Sequence, residues 1–185
     1  MRAHGDQAFF GVNDLQHRLK ALAYAVQLGL HDPWSTEWVS RVVRSLPHSN
    51  RPGSDALEVE AVFDALKASV RYTYHPGMDR IQTLRKTLEL GVGDCDNASV
   101  ALATALKILN FDVAWAIMGS EGDSADHIWA QVWLPRGVPV DSPGGRWVDL
   151  DLTTGPNGYP ESAMAGYAVP YENRSFWQRY RLRLT

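Results

Sequence analysis

The chain has 185 residues, 45% of them hydrophobic, which is enough to bury a core and too short for a large multidomain machine. Its 18 Lys and Arg stand against 21 Asp and Glu for a formal charge of −3, so it has no overall positive field to hold nucleic acid or an anionic membrane surface. The single cysteine, Cys95, excludes an internal disulfide and a thiolate-rich zinc or iron–sulfur cage; none of the six histidines has metal-ligand spacing, and neither metal nor cofactor is implied.

Residues 1–12 carry His4 and Asp6 and only a short apolar run, unlike a signal peptide. The most apolar window, 98–118, is interrupted by Lys107, Asn110 and Asp112, so a soluble cytoplasmic protein without a membrane span is expected. The first 90 residues read as helices. Leu15, Leu19, Leu22, Val26 and Leu30 recur at helical spacing over 13–30, and Asp32-Pro33 ends that element. Ser35 is a good N-cap for a second helix that buries Trp38, Val39, Val42, Val43 and Leu46, and His48 to Gly53 reads as a linker. Ser54 or Asp55 caps a third helix with Val59, Val62, Phe63, Leu66 and Val70 on one face. Tyr72 and Tyr74 alternate as on a strand, Pro76-Gly77 breaks the chain, and Thr83 opens a short helix ending near Gly91.

After Gly93 the pattern changes. Ala98, Ala101, Leu102, Ala105, Leu106 and Leu109 trace one more helical face, and strands are predicted over 113–118, 126–134 and 146–152. Alternation puts His127, Trp129, Gln131 and Trp133 on one side of the second strand, and Trp147, Asp149 and Asp151 on one side of the third. Trp115, Trp129, Trp133 and Trp147 at strand spacing read as core and inter-layer packing. Gly155 to Val169 reads as a loop over a cleft. Arg174 to Thr185 sets Arg179, Arg181 and Arg183 against Tyr180, Leu182 and Leu184, an edge strand blunted by charge. Helices first and strands afterwards predict an α+β domain.

The chemistry gathers around Cys95, in the run Gly91-Val92-Gly93-Asp94-Cys95-Asp96-Asn97 just ahead of the apolar helix. A sulfur at a helix N-terminus near an imidazolium is expected to favour the thiolate, below the ordinary pKa of about 8.5. His127 starts a later strand, and Asp149 and Asp151 stand on the next one. Thiol catalysis needs an imidazole to take the proton and a carboxylate to hold the ring in one tautomer; either aspartate can serve.

The blocks GDCDNASVALATALKILNF, DHIWAQVWLP and RWVDLDLTTG resemble the three-block core of transglutaminase-like cysteine enzymes: a Gly-Asp-Cys block opening a helix, a histidine starting a strand, and a W-x-x-x-D-x-T pattern. They span Gly91 to Gly155, a third of the chain. Upstream, VRYTYHPGMDRIQTLRKTLELGVGDC is similar to a bacterial and phage-associated branch of that superfamily. The resemblance implies a papain-like/transglutaminase-like α+β core in a single domain over 1–185. Its parts would be a helical N-terminal part (1–70), a catalytic core (71–155) with the Cys95 helix packed on an antiparallel sheet, and a C-terminal loop and strand (156–185).

By the same resemblance Cys95 is the nucleophile, His127 the base and Asp151 the carboxylate that orients it. Asp151 is preferred because it stands four residues after Trp147 and two before Thr153, with Asp149 as the fallback. Gln82 joins the Cys95 backbone N–H as a candidate oxyanion donor, and Trp129 and Tyr74 are candidates to flank a substrate cleft, beside the packing role that their strand spacing equally allows. The implied activity is that of a cysteine peptidase or amidase working through a thioester on a protein or peptide. The alternatives are an acyl-transferring protein cross-linker and a non-catalytic phage tail or assembly protein that retains the fold, with virion or tail proteins as partners and incorporation into a phage particle.

Overall fold

A computed structural model describes residues 2–4, 7–10, 15–46, 54–73, 79–119, 127–134, 146–153 and 178–183. The expected linker at 48–53, Tyr74, the Pro76-Gly77 break and the loop at 155–169 lie outside these residues. The chain begins with two short strands, β1 (Arg2–His4) and β2 (Gln7–Phe10), then three helices, α1 (Leu15–Leu30), α2 (Pro33–Val43) and α3 (Ser54–Ser69). Strands β3 (Arg71–Tyr72) and β4 (Asp79–Gln82) precede helix α4 (Leu84–Leu90), strand β5 (Val92–Gly93) and helix α5 (Cys95–Ile108). Strands β6 (Val113–Gly119), β7 (His127–Leu134), β8 (Arg146–Leu150) and β9 (Gln178–Arg183) complete the order.

The break between α1 and α2 is only two residues long, because Asp32-Pro33 starts a helix as well as stopping one. Asp32 caps α2 by accepting the Trp34 N–H at 3.0 Å, and Pro33 occupies a first-turn position that needs no N–H. Ser35, expected as the cap, instead sits buried inside the first turn and donates to Asp32 Oδ2 at 3.2 Å. The helical reading of the N-terminal part also needs correcting at its start. β1 and β2 form an antiparallel pair, and β2 aligns antiparallel with β4 in the register Gln7↔Gln82 and Ala8↔Ile81. Strands of three and four residues are too short to show a period.

α5 is the centre of the molecule. The sequence marks one apolar face, yet every residue from Cys95 to Leu106 is buried, because α1, α2, α3 and α4 pack around the helix and β7 lies across it. Ala98, Ala101, Ala103 and Ala105 let these neighbours approach closely, while Leu102 and Leu106 each contribute roughly 1.5–3 kcal/mol by burial. The four-stranded antiparallel sheet has the order β8-β7-β6-β9. One face, with Val113, Trp115, Ile117, Ile128, Ala130, Val132, Leu134, Val148 and Leu150, joins the core. The opposite face carries Trp129, Gln131, Trp133, Trp147 and Asp149, and the rings of Trp133 and Trp147 meet edge to face at 5.6 Å. This is the expected α+β arrangement, with the Cys95 helix packed on an antiparallel sheet. No helix among the described residues is long and apolar enough to cross a membrane.

Candidate active site

The Cys95 helix is delivered by a tightly specified turn. Thr83 caps α4 by accepting the Lys86 N–H at 3.3 Å, and α4 ends at Gly91, whose φ of 64° is the left-handed cap that favours glycine. β5 then runs parallel to β3, with the Arg71 N–H bonded to Gly91 O and the Thr73 N–H to Gly93 O, each at 2.9 Å. Gly93 must lack a side chain, since a Cβ there would lie 2.8 Å from the Cβ of Asn97. Asp94 caps α5 by accepting the Asn97 N–H at 3.0 Å. Asn97 in turn accepts the backbone N–H of Gln82 at 2.7 Å, tying β4 to the turn that bears Cys95. The Gln82 side chain is buried there, and its Oε1 and the Nδ2 of Asn97 make no hydrogen bond.

Pairing of β7 with β8 begins only at Ala130, and the first turn of α5 abuts the start of β7 that β8 leaves uncovered. Ser99 Oγ donates to Ile128 O at 3.1 Å, and the Ile128 backbone N–H lies against the Cys95 sulfur. The residue beside Ile128 is His127. The sulfur and the imidazole therefore come from adjoining backbone, although no direct hydrogen bond joins them.

His127 Nε2 lies 2.6 Å from Asp151 Oδ2, a contact in which the imidazole donates to the carboxylate. The other carboxylate oxygen accepts the backbone N–H of Thr153 at 2.9 Å and its hydroxyl at 2.7 Å. Burial pushes Asp151 up, but the hydrogen bond and charge of His127 and the two Thr153 donors outweigh it, holding the carboxyl below its ordinary value. Asp149 goes elsewhere: it accepts the Trp129 indole N–H at 2.9 Å and the side-chain amide of Gln131. Strand alternation alone left the two aspartates equivalent, and the structure gives the imidazole to Asp151. Trp129 shares the face of His127, but it is 2% exposed and stacks on that ring, with centroids 5.5 Å apart, rather than lining open space.

Sequence reasoning missed Arg18. Its guanidinium reaches from α1 to Asp96, with Nε at 2.8 Å from Oδ2 and Nη2 at 2.7 Å from Oδ1, and the same Nη2 stands 3.9 Å from the Cys95 sulfur. A signal for it exists in the chain: Arg18 stands four residues before Leu22 and seven before Ala25, on the buried stripe of α1. The expectation of a thiol drawn toward its anion is reversed. Burial, then the charges of Asp96 and Asp94, raise the Cys95 pKa to about 12, against the opposing pull of Arg18 and the Ile128 N–H. At neutral pH Cys95 is a thiol. Among the described residues no cluster of three or more His, Cys, Asp or Glu side chains is placed to hold a metal ion.

No curated protein matches the sequence. A solved structure from Parabacteroides distasonis, described as a "putative protease", is similar over 71% of this chain and 29% of its own, with 11% identity and a TM-score of 0.45. This chain thus spans less than a third of that protein's length. The family model of the transglutaminase-like superfamily matches residues 45–152, more than half of the chain and the whole stretch that carries Gln82, Cys95, His127 and Asp151, and the chain belongs to that superfamily.

Proposed function

We propose that the protein is a cysteine hydrolase, a peptidase or amidase, in which Cys95, His127 and Asp151 act together within a single domain. The observation that carries this reading is the 2.6 Å bond from His127 Nε2 to Asp151, made on the residue next to the one whose backbone N–H lies against the Cys95 sulfur. With Nε2 donating to Asp151, Nδ1 is the basic nitrogen of the ring. Because the resting thiol holds its proton, attack and deprotonation go together. Nδ1 takes the Sγ proton as sulfur adds to the substrate carbonyl, and the resulting imidazolium returns that proton to the departing amine. Water, deprotonated by the same nitrogen, then cleaves the thioester and restores the thiol. The backbone N–H of Cys95 at the start of α5, together with Gln82, which Asn97 ties to that turn, supplies donors for the developing oxyanion. Water is the favoured acceptor because hydrolysis needs no second protein-binding site.

Turnover of dye-labelled casein and release of ammonia from a glutamine-containing peptide test this reading with Cys95→Ala and His127→Ala. Each substitution is expected to lower kcat by about 10³-fold or more. Full activity in either variant overturns the assignment. A glutamyl–lysine adduct formed with added lysine, in place of ammonia release to water, converts the hydrolase into a transferase.

A further inference from the structure

Asp149 has no part in the scheme above, yet it is 8% exposed, and a carboxylate so placed needs hydrogen bonds to offset its lost hydration. Both bonds it accepts fall on one oxygen and come from β7: from the Trp129 indole at 2.9 Å, and from Gln131, the residue directly across the strands. Trp129 in turn lies against His127, with ring centroids 5.5 Å apart and planes 24° from parallel. The imidazole is therefore held at one edge by Asp151 and along one face by Trp129, whose own indole is held by Asp149.

We propose that Asp149 is a positioning residue for His127, acting through the Trp129 indole to set the tilt of the imidazole plane, a role that rests on the hydrolase reading. A hydrogen bond at Nε2 fixes one point of the ring. Tilting about that point still sweeps Nδ1 toward or away from the sulfur, and displacements of this size are what a positioned base cannot tolerate. A stacked face opposes the tilt, but an indole does so firmly only when its own plane is anchored. Asp149 supplies the anchor, and Gln131 bonds the same carboxylate oxygen and fixes Asp149 in place. The aspartate of β8 and the one just beyond its end thus share the orientation of a single ring, Asp151 fixing its tautomer and Asp149 its plane.

Asp149→Leu removes the acceptor while keeping the number and branching of side-chain heavy atoms, whereas Asp149→Asn keeps an acceptor oxygen. On dye-labelled casein, Asp149→Leu is expected to lose about 10- to 100-fold in kcat with KM changed by less than about twofold, and Asp149→Asn to lose less than about fivefold. In ¹⁵N-edited NMR spectra the Nε2 proton of His127 is expected to be sharp in the wild type and the Asn variant, and broadened in the Leu variant. Wild-type kcat with an unbroadened ring proton in Asp149→Leu overturns the proposal. If circular dichroism finds that variant unfolded, Trp129→Phe replaces it, keeping an aromatic face without the N–H. It is expected to lose about threefold or more in kcat with a broadened ring proton, and wild-type values there overturn the proposal equally. A wild type that turns over neither casein nor a glutamine peptide defeats the hydrolase reading alone, and the ring proton then decides the positioning role of Asp149 by itself.

Discussion

At the Cys95 sulfur, burial and the carboxylates of Asp96 and Asp94 push against the guanidinium of Arg18, and the raised pKa of about 12 records which side prevails. Alkylation by iodoacetamide is therefore expected to be slow at pH 7 and still accelerating above pH 9; a rate that levels off near neutrality would mean a preformed thiolate. The same displacement links to stability. A thiol whose folded value lies above its unfolded value of about 8.5 contributes stability that is whole below that pH and is lost as pH climbs toward 12. Asp151, held low, contributes stability present above its unfolded value of about 3.9 and lost as pH falls through the folded one. Denaturation followed across pH is expected to lose part of its alkaline slope in Cys95→Ala and part of its acid slope in Asp151→Asn. Arg18→Met raises the thiol further and takes from buried Asp96 the guanidinium paired with it, at an expected cost of about 3–5 kcal/mol; adding Asp96→Asn should recover much of that loss in urea denaturation. Cys95 stands out in the sequence because it is the one cysteine and sits among Gly and Asp residues, and His127 because it heads a strand in a block that resembles the superfamily core. The direction of the thiol's pKa is not, because it depends on how deeply the sulfur is buried and on an arginine seventy-seven positions away.

Helix ends are set by a few side chains whose type narrows their role, which is why Thr83 and Gly91 can be read as the limits of α4 ahead of the structure, whereas the cap at Asp94 emerges only from it. Asp94→Ala removes the acceptor for the Asn97 N–H and is expected to cost about 1 kcal/mol in thermal or urea unfolding; it also loosens the turn that holds Gln82. Asp32-Pro33 is open to two readings because the same pair ends one helix and starts another. β1 and β2 leave no trace in the pattern, since the pairing of β2 with β4 joins residues about seventy positions apart and no local preference encodes it. The Asp149 contacts escape for a related reason: the two-residue period of the pleat groups Trp129 with Gln131 on one strand and Trp147 with Asp149 on the next, but only the register Gln131↔Asp149 brings the two sets together.

On the scale of the whole molecule, the region that carries the superfamily pattern stops short of what surrounds the sulfur. Residues 45–152 contain Cys95, His127 and Asp151, whereas Arg18 and the rest of α1, which packs along α5, lie before them. A chain beginning at residue 45 is expected to lack cooperative thermal unfolding, because it bares the α1-facing side of a helix buried all round and leaves Asp96 without Arg18; a sharp transition from that fragment would show α1 to be dispensable. The general order of helices followed by strands is legible because period 3.6 gives way to period 2 after Asn110. The encirclement of α5 is not, since Asp96, Asn97, Ser99 and Thr104 read as a solvent-facing side in the pattern, yet each is buried.

The strand order β8-β7-β6-β9 has a temporal corollary. β6, β7 and β8 follow one another along the chain and can zip together as a meander, whereas β9 must close the long segment between Gly119 and Gln178 before it meets β6. Until it arrives, one edge of β6 offers unsatisfied amides to any passing strand. In pulsed hydrogen exchange during refolding, β6 amides bonded to β7 should gain protection before those bonded to β9, so the hairpin carrying His127 matures while its sheet is still open on the other side.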